Sequence, residues 1–292
     1  MRIGMVGLGR MGGNMAERLR LAGHEVLGYE RKEGQRDVAS YDELVGALDP
    51  PRIVWMMVPA GGPTEGVVGE LAGLLAEGDL IVDGANSHFR DSMRRAGELA
   101  DRGIAYVDAG VSGGIWGLDG GYGLMVGGSD DAVTRIAPIL DALAADGHWI
   151  HVGPSGSGHF TKMIHNGIEY GLMQAYAEGF EILHRSDDFP EIDLHAVAEA
   201  WRHGTVVRSW LLDLIAAALE RDPQLSELAA YVDDSGFGRA TVVEAIEEAV
   251  PAPAIAAALF ARFASRDESS FAMRLVAALR REFGGHAIHE PD

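Results

Sequence analysis

A glycine-rich turn near the amino terminus constrains the fold of this chain more than any other stretch. The apolar run of residues 2–7 ends in Gly7-Leu8-Gly9-Arg10-Met11-Gly12, and a helical pattern from Asn14 to Ala22 follows. A G-x-G-x-x-G turn between a strand and a helix lets the backbone approach a pyrophosphate, which the partial positive charge of the helix N-terminus attracts. The turn therefore predicts a dinucleotide-binding domain, although a glycine turn that merely packs helix on strand is the alternative. The residues expected at the cofactor are Gly7, Leu8, Gly9, Arg10, Met11 and Gly12.

The end of the second predicted strand bears on which dinucleotide binds. The strand leads to Glu30, whose carboxylate can accept both ribose hydroxyls of NAD and would repel the 2′-phosphate of NADP. Arg31 follows directly, and a guanidinium there could instead pair with that phosphate. NAD is the expected cofactor, with NADP left open. Val58 and Pro59 begin a loop that could lie over the cofactor.

Strand and helix patterns alternate through the first half of the chain. Ile53 to Val58 is an all-apolar run of the kind buried in a parallel sheet, and Leu80 to Asp83 is the next strand. The alternation predicts a Rossmann-type, doubly wound α/β domain over residues 1–157. Beyond a glycine-rich connector the apolar spacing is helical, as in Val206 to Glu220, which predicts an all-α domain over residues 158–292.

Polar residues and glycines follow two predicted strands at the edge where doubly wound sheets bind ligands. Asn86 follows one strand and could touch nicotinamide or substrate, or simply form a turn. Ser112, Gly113 and Gly114 follow a strand predicted near Tyr106 to Asp108. They offer a hydroxyl and unobstructed backbone N–H groups to a carboxylate or oxyanion, with a flexible glycine turn as the alternative.

The first helix beyond the connector carries an amine, an amide and a carboxylate on one side. Lys162, Asn166 and Glu169 are separated by four and then three positions, so they share a face at about 100° per residue. Such a face offers a proton acceptor, a hydrogen-bonding anchor and a second acid, which suits a reaction with two proton transfers at neighbouring carbons. A solvated Lys/Glu face is the plain alternative.

Composition excludes several classes of function. The net charge of -20 argues against nucleic acid and anionic membranes as partners, since both require basic surface. No uncharged stretch is long enough to span a bilayer, and no secretion signal is recognisable. The absence of cysteine excludes disulfides and thiolate metal sites, and no metal is expected. We expect a cytoplasmic protein. The charge does not exclude a small anionic ligand, which would have to be bound by a local cluster of Arg, Lys and His.

Six segments together resemble the 6-phosphogluconate dehydrogenases (decarboxylating), in their shorter-subunit form often associated with NAD, within the β-hydroxyacid dehydrogenase superfamily. The stretch from Lys162 to Tyr170 is the most specific, because relatives that only oxidise a hydroxyacid keep the lysine but do not need the glutamate. The segments are Gly7–Asn14, Asp83–Ser87, Gly110–Gly114, Gly158–Gln174, Gly204–Leu212 and Phe283–His286.

The resemblance implies oxidative decarboxylation of 6-phosphogluconate to ribulose 5-phosphate and CO2, in the pentose phosphate pathway or gluconate metabolism. Lys162 would accept the proton of the C3 hydroxyl, which requires its pKa to fall from about 10.4. Glu169 would protonate C1 of the enediol. The sugar acid would be held by Asn86, Ser112, Gly113, Gly114, His165 and Asn166. The phosphate would be held by Tyr170, Arg208, Arg280 and His286.

The resemblance also implies a homodimer or homotetramer in which the C-terminal tail of a partner subunit supplies Arg280 and His286. From their spacing alone, these two residues are typical of the C-terminal end of a helix. The chain departs from the family pattern at Ala85, Phe237 and Ala240, and it has no recognisable lysine-bearing phosphate loop. Two alternatives therefore stay open: a simple β-hydroxyacid dehydrogenase acting on a small or non-phosphorylated sugar acid, and a non-catalytic NAD-binding module that senses its cofactor.

Overall fold

The computed structural model of the chain describes residues 1–32, 34, 36–267 and 269–284. Its backbone divides into two compact units, Met1–His165 and Asn166–Asp292. The division falls inside one long helix, α7, which runs without a break over Ser157–His184.

The first unit is built on a seven-stranded sheet of order β2-β1-β3-β4-β5-β6-β7. All neighbouring strands are parallel except β5 and β6, which confirms the Rossmann-type α/β fold. The strands are β1 (Arg2–Val6), β2 (Glu25–Tyr29), β3 (Ile53–Met56), β4 (Leu80–Asp83), β5 (Ala105–Ser112), β6 (Tyr122–Gly127) and β7 (Ala144–Gly153). The helices are α1 (Arg10–Leu21), α2 (Tyr41–Gly46), α3 (Gly62–Leu74), α4 (Phe89–Ala100), α5 (Gly117–Gly120) and α6 (Asp130–Leu143).

Two buried apolar clusters cover the two faces of this sheet. One contains Ile3 and Met15 of β1 and α1, and the other contains Leu44 and Leu71 of α2 and α3. Because both faces are covered, the central strands β3 and β4 are fully buried, and their residues are apolar except Asp83 at the end of β4. The carboxyl ends of the parallel strands β1 to β5 lie at one edge, where the polar residues predicted from the sequence lie.

Among the differences from the sequence pattern in the first unit are those at α1, β5 and α3. Helix α1 begins at Arg10 rather than Asn14, because Gly9 is its N-cap and the last half of the glycine motif is already helical. Strand β5 continues four residues past its predicted end, because Val111 and Ser112 pair with β6. Helix α3 is not predicted by apolar spacing, since four of its thirteen residues are glycine, which is a poor helix former.

The second unit is helical, as predicted for the C-terminal half. With α7 it contains α8 (Leu194–Arg202), α9 (Trp210–Arg221), α10 (Phe237–Glu247), α11 (Pro253–Ala264) and α12 (Phe271–Gly284). Helix α9 begins four residues later than predicted, because the Ser209 hydroxyl accepts a hydrogen bond from the Leu212 amide and caps it there. Among the described residues, no helix is both long and apolar enough to cross a lipid bilayer.

Candidate active site

Three glycines shape the turn between β1 and α1, each for a different reason. Gly7 has φ +90°, and a Cβ there would lie 2.5 Å from the Met57 carbonyl oxygen. A Cβ on Gly12 would lie 1.9 Å from the Gly7 carbonyl oxygen, so α1 packs directly on the turn. A Cβ on Gly9 would have no atom of the described residues within 4 Å. The open space at Gly9 leaves the N-terminus of α1 accessible to a ligand, as pyrophosphate binding requires.

Glu30 holds this turn from the end of β2. One carboxylate oxygen accepts a hydrogen bond from the Leu8 amide at 2.9 Å, and the other accepts from the Arg31 amide at 2.8 Å. A carboxylate has about four acceptor positions, so both oxygens keep capacity for ribose hydroxyls. The Arg31 and Tyr41 side chains line the same cavity as Glu30. The arrangement favours NAD.

A cavity of about 520 Å³ opens beside the turn. All the residues predicted to bind the cofactor line it except Leu8, whose amide is bound by Glu30. Sequence reasoning missed Tyr29, Tyr41 and Met57, which also line the cavity but lie in apolar stretches that resemble ordinary core. The predicted residues on its wall are Gly7, Gly9, Arg10, Met11, Gly12, Glu30, Arg31, Val58, Pro59 and Asn86.

Asn86 joins the ends of two strands. Its side-chain amide nitrogen donates to the Val111 carbonyl at 3.2 Å, and its oxygen accepts from the Val111 amide at 2.9 Å. With φ 52°, Asn86 also takes the left-handed backbone conformation that asparagine tolerates. The residue is thus a turn-former that lines the cavity wall, so both of its predicted roles are compatible with this position.

A buried polar network fixes the loop that carries Asn86. One Asp83 oxygen accepts from the Ala85 amide at 2.9 Å, while the other accepts from the Ser87 hydroxyl at 3.0 Å and the Tyr106 hydroxyl at 2.6 Å. The buried Arg95 guanidinium supplies the opposite charge at 3.3 Å. Burial and the Asp83 charge raise the pKa of Tyr106 well above its ordinary value, so its hydroxyl stays a donor.

Lys162 lies in the second turn of α7, where the helix packs against β5. Its side chain is only 5% exposed, and its Nζ lies 3.3 Å from Nδ1 of His165. The close approach depends on two glycines: a Cβ on Gly110 would lie 2.4 Å from the Lys162 Cβ, and a Cβ on Gly158 would lie 2.6 Å from the Asp108 carbonyl. The first turns of α7 and the base of the Lys162 side chain are therefore held close against β5.

The uninterrupted α7 keeps Lys162, Asn166 and Glu169 on one side of the helix, as their spacing predicts. Glu169 is half-buried. A Cβ on Gly167 would lie 2.5 Å from the side chain of Thr241, which explains this interior glycine by the close packing of α10. A Cβ on Gly171 meets no atom of the described residues within 4 Å.

The residues predicted to bind phosphate are not all brought together. Tyr170 is buried in the second unit, where its hydroxyl accepts from the Ser235 amide at 3.0 Å. The Arg262 guanidinium lies 3.6 Å from the centre of the Tyr170 ring. Arg208, in contrast, is exposed just before α9, and Arg280 is exposed on α12. His286 lies outside the described residues.

Sequence reasoning missed Arg262. Arg262 lies between Ala261 and Phe263 in the apolar sequence of α11, and a guanidinium among apolar neighbours requires an anionic or aromatic partner, which is the signal that could have found it. The remaining predicted substrate residues lie at the end of β5, where Gly113 and Gly114 have positive φ angles.

Comparisons with known proteins agree with this geometry. Residues 2–153 match the model of the NAD binding domain of 6-phosphogluconate dehydrogenase, and residues 158–282 match that of its C-terminal domain. The chain is 40% identical to the putative 6-phosphogluconate dehydrogenase YqeC of Bacillus subtilis, over 99% of this chain and 100% of that protein. It is 41% identical to an NAD(+)-dependent, decarboxylating 6-phosphogluconate dehydrogenase of Haloferax volcanii, over the whole of both.

Solved structures extend the comparison. The 6-phosphogluconate dehydrogenase of Plasmodium falciparum superposes with a TM-score of 0.83 at 27% identity, covering 100% of this chain and 67% of that chain. A 3-hydroxyisobutyrate dehydrogenase of Mycobacterium tuberculosis gives a TM-score of 0.70 at 22% identity, over 90% of this chain and 94% of that chain, and shows the shared fold alone. Because two family models cover nearly the whole chain and full-length relatives are about two-fifths identical to it, the chain belongs to the 6-phosphogluconate dehydrogenase family.

Proposed function

We propose that the protein catalyses oxidative decarboxylation of 6-phosphogluconate to ribulose 5-phosphate and CO2, with NAD preferred over NADP. The observation that carries the proposal is that a buried amine, Lys162, and a carboxyl group, Glu169, lie on one face of α7. Two relatives support it: the Haloferax volcanii protein is an NAD(+)-dependent, decarboxylating 6-phosphogluconate dehydrogenase, and the Plasmodium falciparum enzyme was solved in complex with NADP+ and in complex with 6-phosphogluconate.

The residues present fit NAD. The backbone at Gly9 is open to a pyrophosphate, the Glu30 carboxylate faces the same cavity, and Val58 and Pro59 form part of its wall. When bound there, NAD supplies the acceptor for the hydride that leaves C3 of the sugar acid.

The chain's own residues then carry the proton transfers. Lys162 accepts the proton of the C3 hydroxyl, and its burial suits this role because desolvation penalises the charged amine. After CO2 leaves, the protonated Lys162 gives its proton to the enolate oxygen, which forms the enediol. Glu169 then delivers a proton to C1, and Lys162 takes back the hydroxyl proton as the ketone of ribulose 5-phosphate forms. Asn86, Ser112, Gly113, Gly114, His165 and Asn166 hold the carboxylate and hydroxyls of the substrate.

For the phosphate, the proposed set is Tyr170, Arg208, Arg280 and His286, to which we add Arg262. The Arg262 guanidinium packs on the ring of Tyr170 and donates to the Asp233 carbonyl at 3.0 Å. These two contacts hold the positive charge of Arg262 beside Tyr170, a predicted phosphate ligand.

Residues 1–157 would form the cofactor domain and residues 158–292 the substrate and dimerisation domain, in a cytoplasmic enzyme.

The test is a steady-state assay with 6-phosphogluconate, in which reduced cofactor and CO2 are measured in the same reaction. We expect one CO2 per NADH and a higher kcat/KM with NAD than with NADP. Reduction of NAD without CO2 would instead indicate a simple β-hydroxyacid dehydrogenase. Cofactor binding with no turnover on any sugar acid would indicate the sensor module.

The proposed enzyme is a homo-oligomer, for which apolar side chains on α12 provide support. Phe271, Leu275 and Leu279 lie at i, i+4 spacing and are 72%, 49% and 59% exposed in the single chain. A continuous stripe of exposed apolar side chains is typical of a protein–protein interface. A second copy of the chain is the partner we propose, because Arg280 on the same helix is one of the expected phosphate ligands.

The double variant Leu275→Glu/Leu279→Glu is therefore expected to be monomeric and to lose most activity, because two carboxylates would be buried in the interface. Light scattering after size-exclusion chromatography measures the mass. Arg102→Glu, on an exposed turn of the first unit, makes the same change of two charge units and is expected to leave mass and activity unaltered. An oligomer of unchanged mass in the double variant would contradict the interface.

A further inference from the structure

One face of β5 carries three residues that meet α7 or the predicted substrate. Side chains alternate along a strand, so Asp108, Gly110 and Ser112 point to the same side. The Asp108 carboxylate contacts the start of α7, Gly110 gives room to Lys162, and Ser112 is a predicted substrate ligand. Asp108 has no part in the proposed chemistry, so its presence on this face needs its own explanation.

The Asp108 carboxylate binds the N-terminus of α7. One oxygen accepts from the Gly156 amide at 2.5 Å, and the other accepts from the His159 amide at 2.7 Å. The first amides of a helix lack partners within the helix, and a negative charge is favoured there. Asp108 is completely buried, and this burial raises the pKa of its carboxyl, an effect that the two amides and the nearby His159 partly offset.

The same turn of α7 is held on a second side. The buried His159 ring has its Nδ1 2.7 Å from the Ser92 hydroxyl of α4. His159 therefore connects to β5 through its backbone and to α4 through its side chain. Lys162 follows three residues later, about one helical turn on. A shift of this first turn would move the lysine with it.

We infer that Asp108 is a positioning residue for Lys162: by binding the first turn of α7 with both carboxylate oxygens, it sets the depth at which the lysine amine meets the substrate. The inference rests on the proposed function for its kinetic consequence. Its structural part concerns the first unit alone and can be tested without turnover.

The variant Asp108→Asn tests the inference. Asparagine has the same shape but keeps one acceptor oxygen, and its NH2 group would face a backbone N–H, so one of the two hydrogen bonds is lost. We expect kcat to fall by about 10- to 100-fold, because a misplacement of about 1 Å can cost 10². The KM for NAD should stay within about twofold, since the cofactor cavity is not touched.

A chemical readout independent of catalysis accompanies the kinetics. The chain contains only two lysines, Lys32 and Lys162, so an amine-acylating reagent followed by peptide mass analysis reports each one separately. Lys32 is exposed, whereas Lys162 is buried. In Asp108→Asn we expect Lys162 to be acylated several times faster than in the parent protein, with the Lys32 rate unchanged.

The control is Ser129→Ala, which removes the N-cap of α6, another hydrogen bond to a helix terminus in the same unit. It is expected to lower thermal stability without changing kcat or the labelling of Lys162. If Asp108→Asn does not fold, Ser92→Ala removes the contact to His159, together with a long hydrogen bond to the His88 carbonyl within α4, and should change kcat and labelling in the same direction by less.

Unchanged kcat and Lys162 labelling in folded Asp108→Asn would overturn the inference. So would a loss of activity that matches the unfolded fraction, because that result indicates a purely structural role. Failure of the parent protein to turn over 6-phosphogluconate would count against the proposed function only, and the labelling comparison would still decide on Asp108.

Discussion

Replacing Lys162 by methionine is expected to lower kcat on 6-phosphogluconate by about 10² to 10⁴, the usual contribution of a positioned general base. Methionine is unbranched and apolar, so it can fill the space of the buried lysine stem next to Gly110 without exposing a polar group. Thermal unfolding should therefore change little. The KM for NAD should be unaltered, because Lys162 is not on the wall of the cofactor cavity.

Lys162→Arg is the matched variant. It keeps a positive charge and a long stem, but a guanidinium is not deprotonated in proteins and cannot accept the C3 proton. We therefore expect it to be as inactive as the methionine variant while still binding NAD, as measured by calorimetric titration. A kcat above about a tenth of the parent value in Lys162→Met, with NAD and 6-phosphogluconate saturating, would show that another group removes the proton.

The glycine turn shows what sequence can predict well. Gly7 and Gly12 lie where any side chain would collide with backbone, and Gly9 lies where backbone must stay open to a ligand. The contact of Gly12 with Gly7 and the positive φ of Gly7 involve only neighbouring residues, so they leave a motif that can be recognised in the sequence, whereas the contact of Gly7 with Met57 does not. The same holds for the spacing of Lys162, Asn166 and Glu169, which needs only the helix that the pattern already predicts.

Other features depend on contacts that are distant along the chain. Strand β5 reaches Ser112 because β6 pairs with it, and nothing within β5 itself encodes that length. Asp108 looks like an ordinary strand end until Gly156 and His159, about fifty residues later, are seen to donate to it. The pairing of Arg262 with Tyr170 spans about ninety residues in the same way. Helix α3 was not predicted for a local reason: its four glycines are poor helix formers and obscure the helical pattern.

Glu169→Gln is expected to lower kcat by about 10² to 10⁴ as well, but at a different step. Glutamine has nearly the same shape and can still hydrogen-bond, yet it has no proton to deliver to C1 of the enediol. Hydride transfer and CO2 release precede that step, so a first turnover should still give NADH and CO2. We therefore expect a burst of both, at most one per active site, before the slow steady state.

Stereochemistry in D2O separates this role from a structural one. The parent enzyme should place one deuterium at C1 of ribulose 5-phosphate with a single configuration, because one carboxyl group protonates one face of the enediol. In Glu169→Gln, enediol that escapes is protonated by solvent, so proton NMR should show both configurations. Glu178→Gln is the control, since Glu178 is exposed on the opposite side of the same helix and should leave rate and stereochemistry unaltered. If Glu169→Gln turned over at nearly the parent rate, a simple dehydrogenase that needs the lysine but not the glutamate would explain the site better than a decarboxylase.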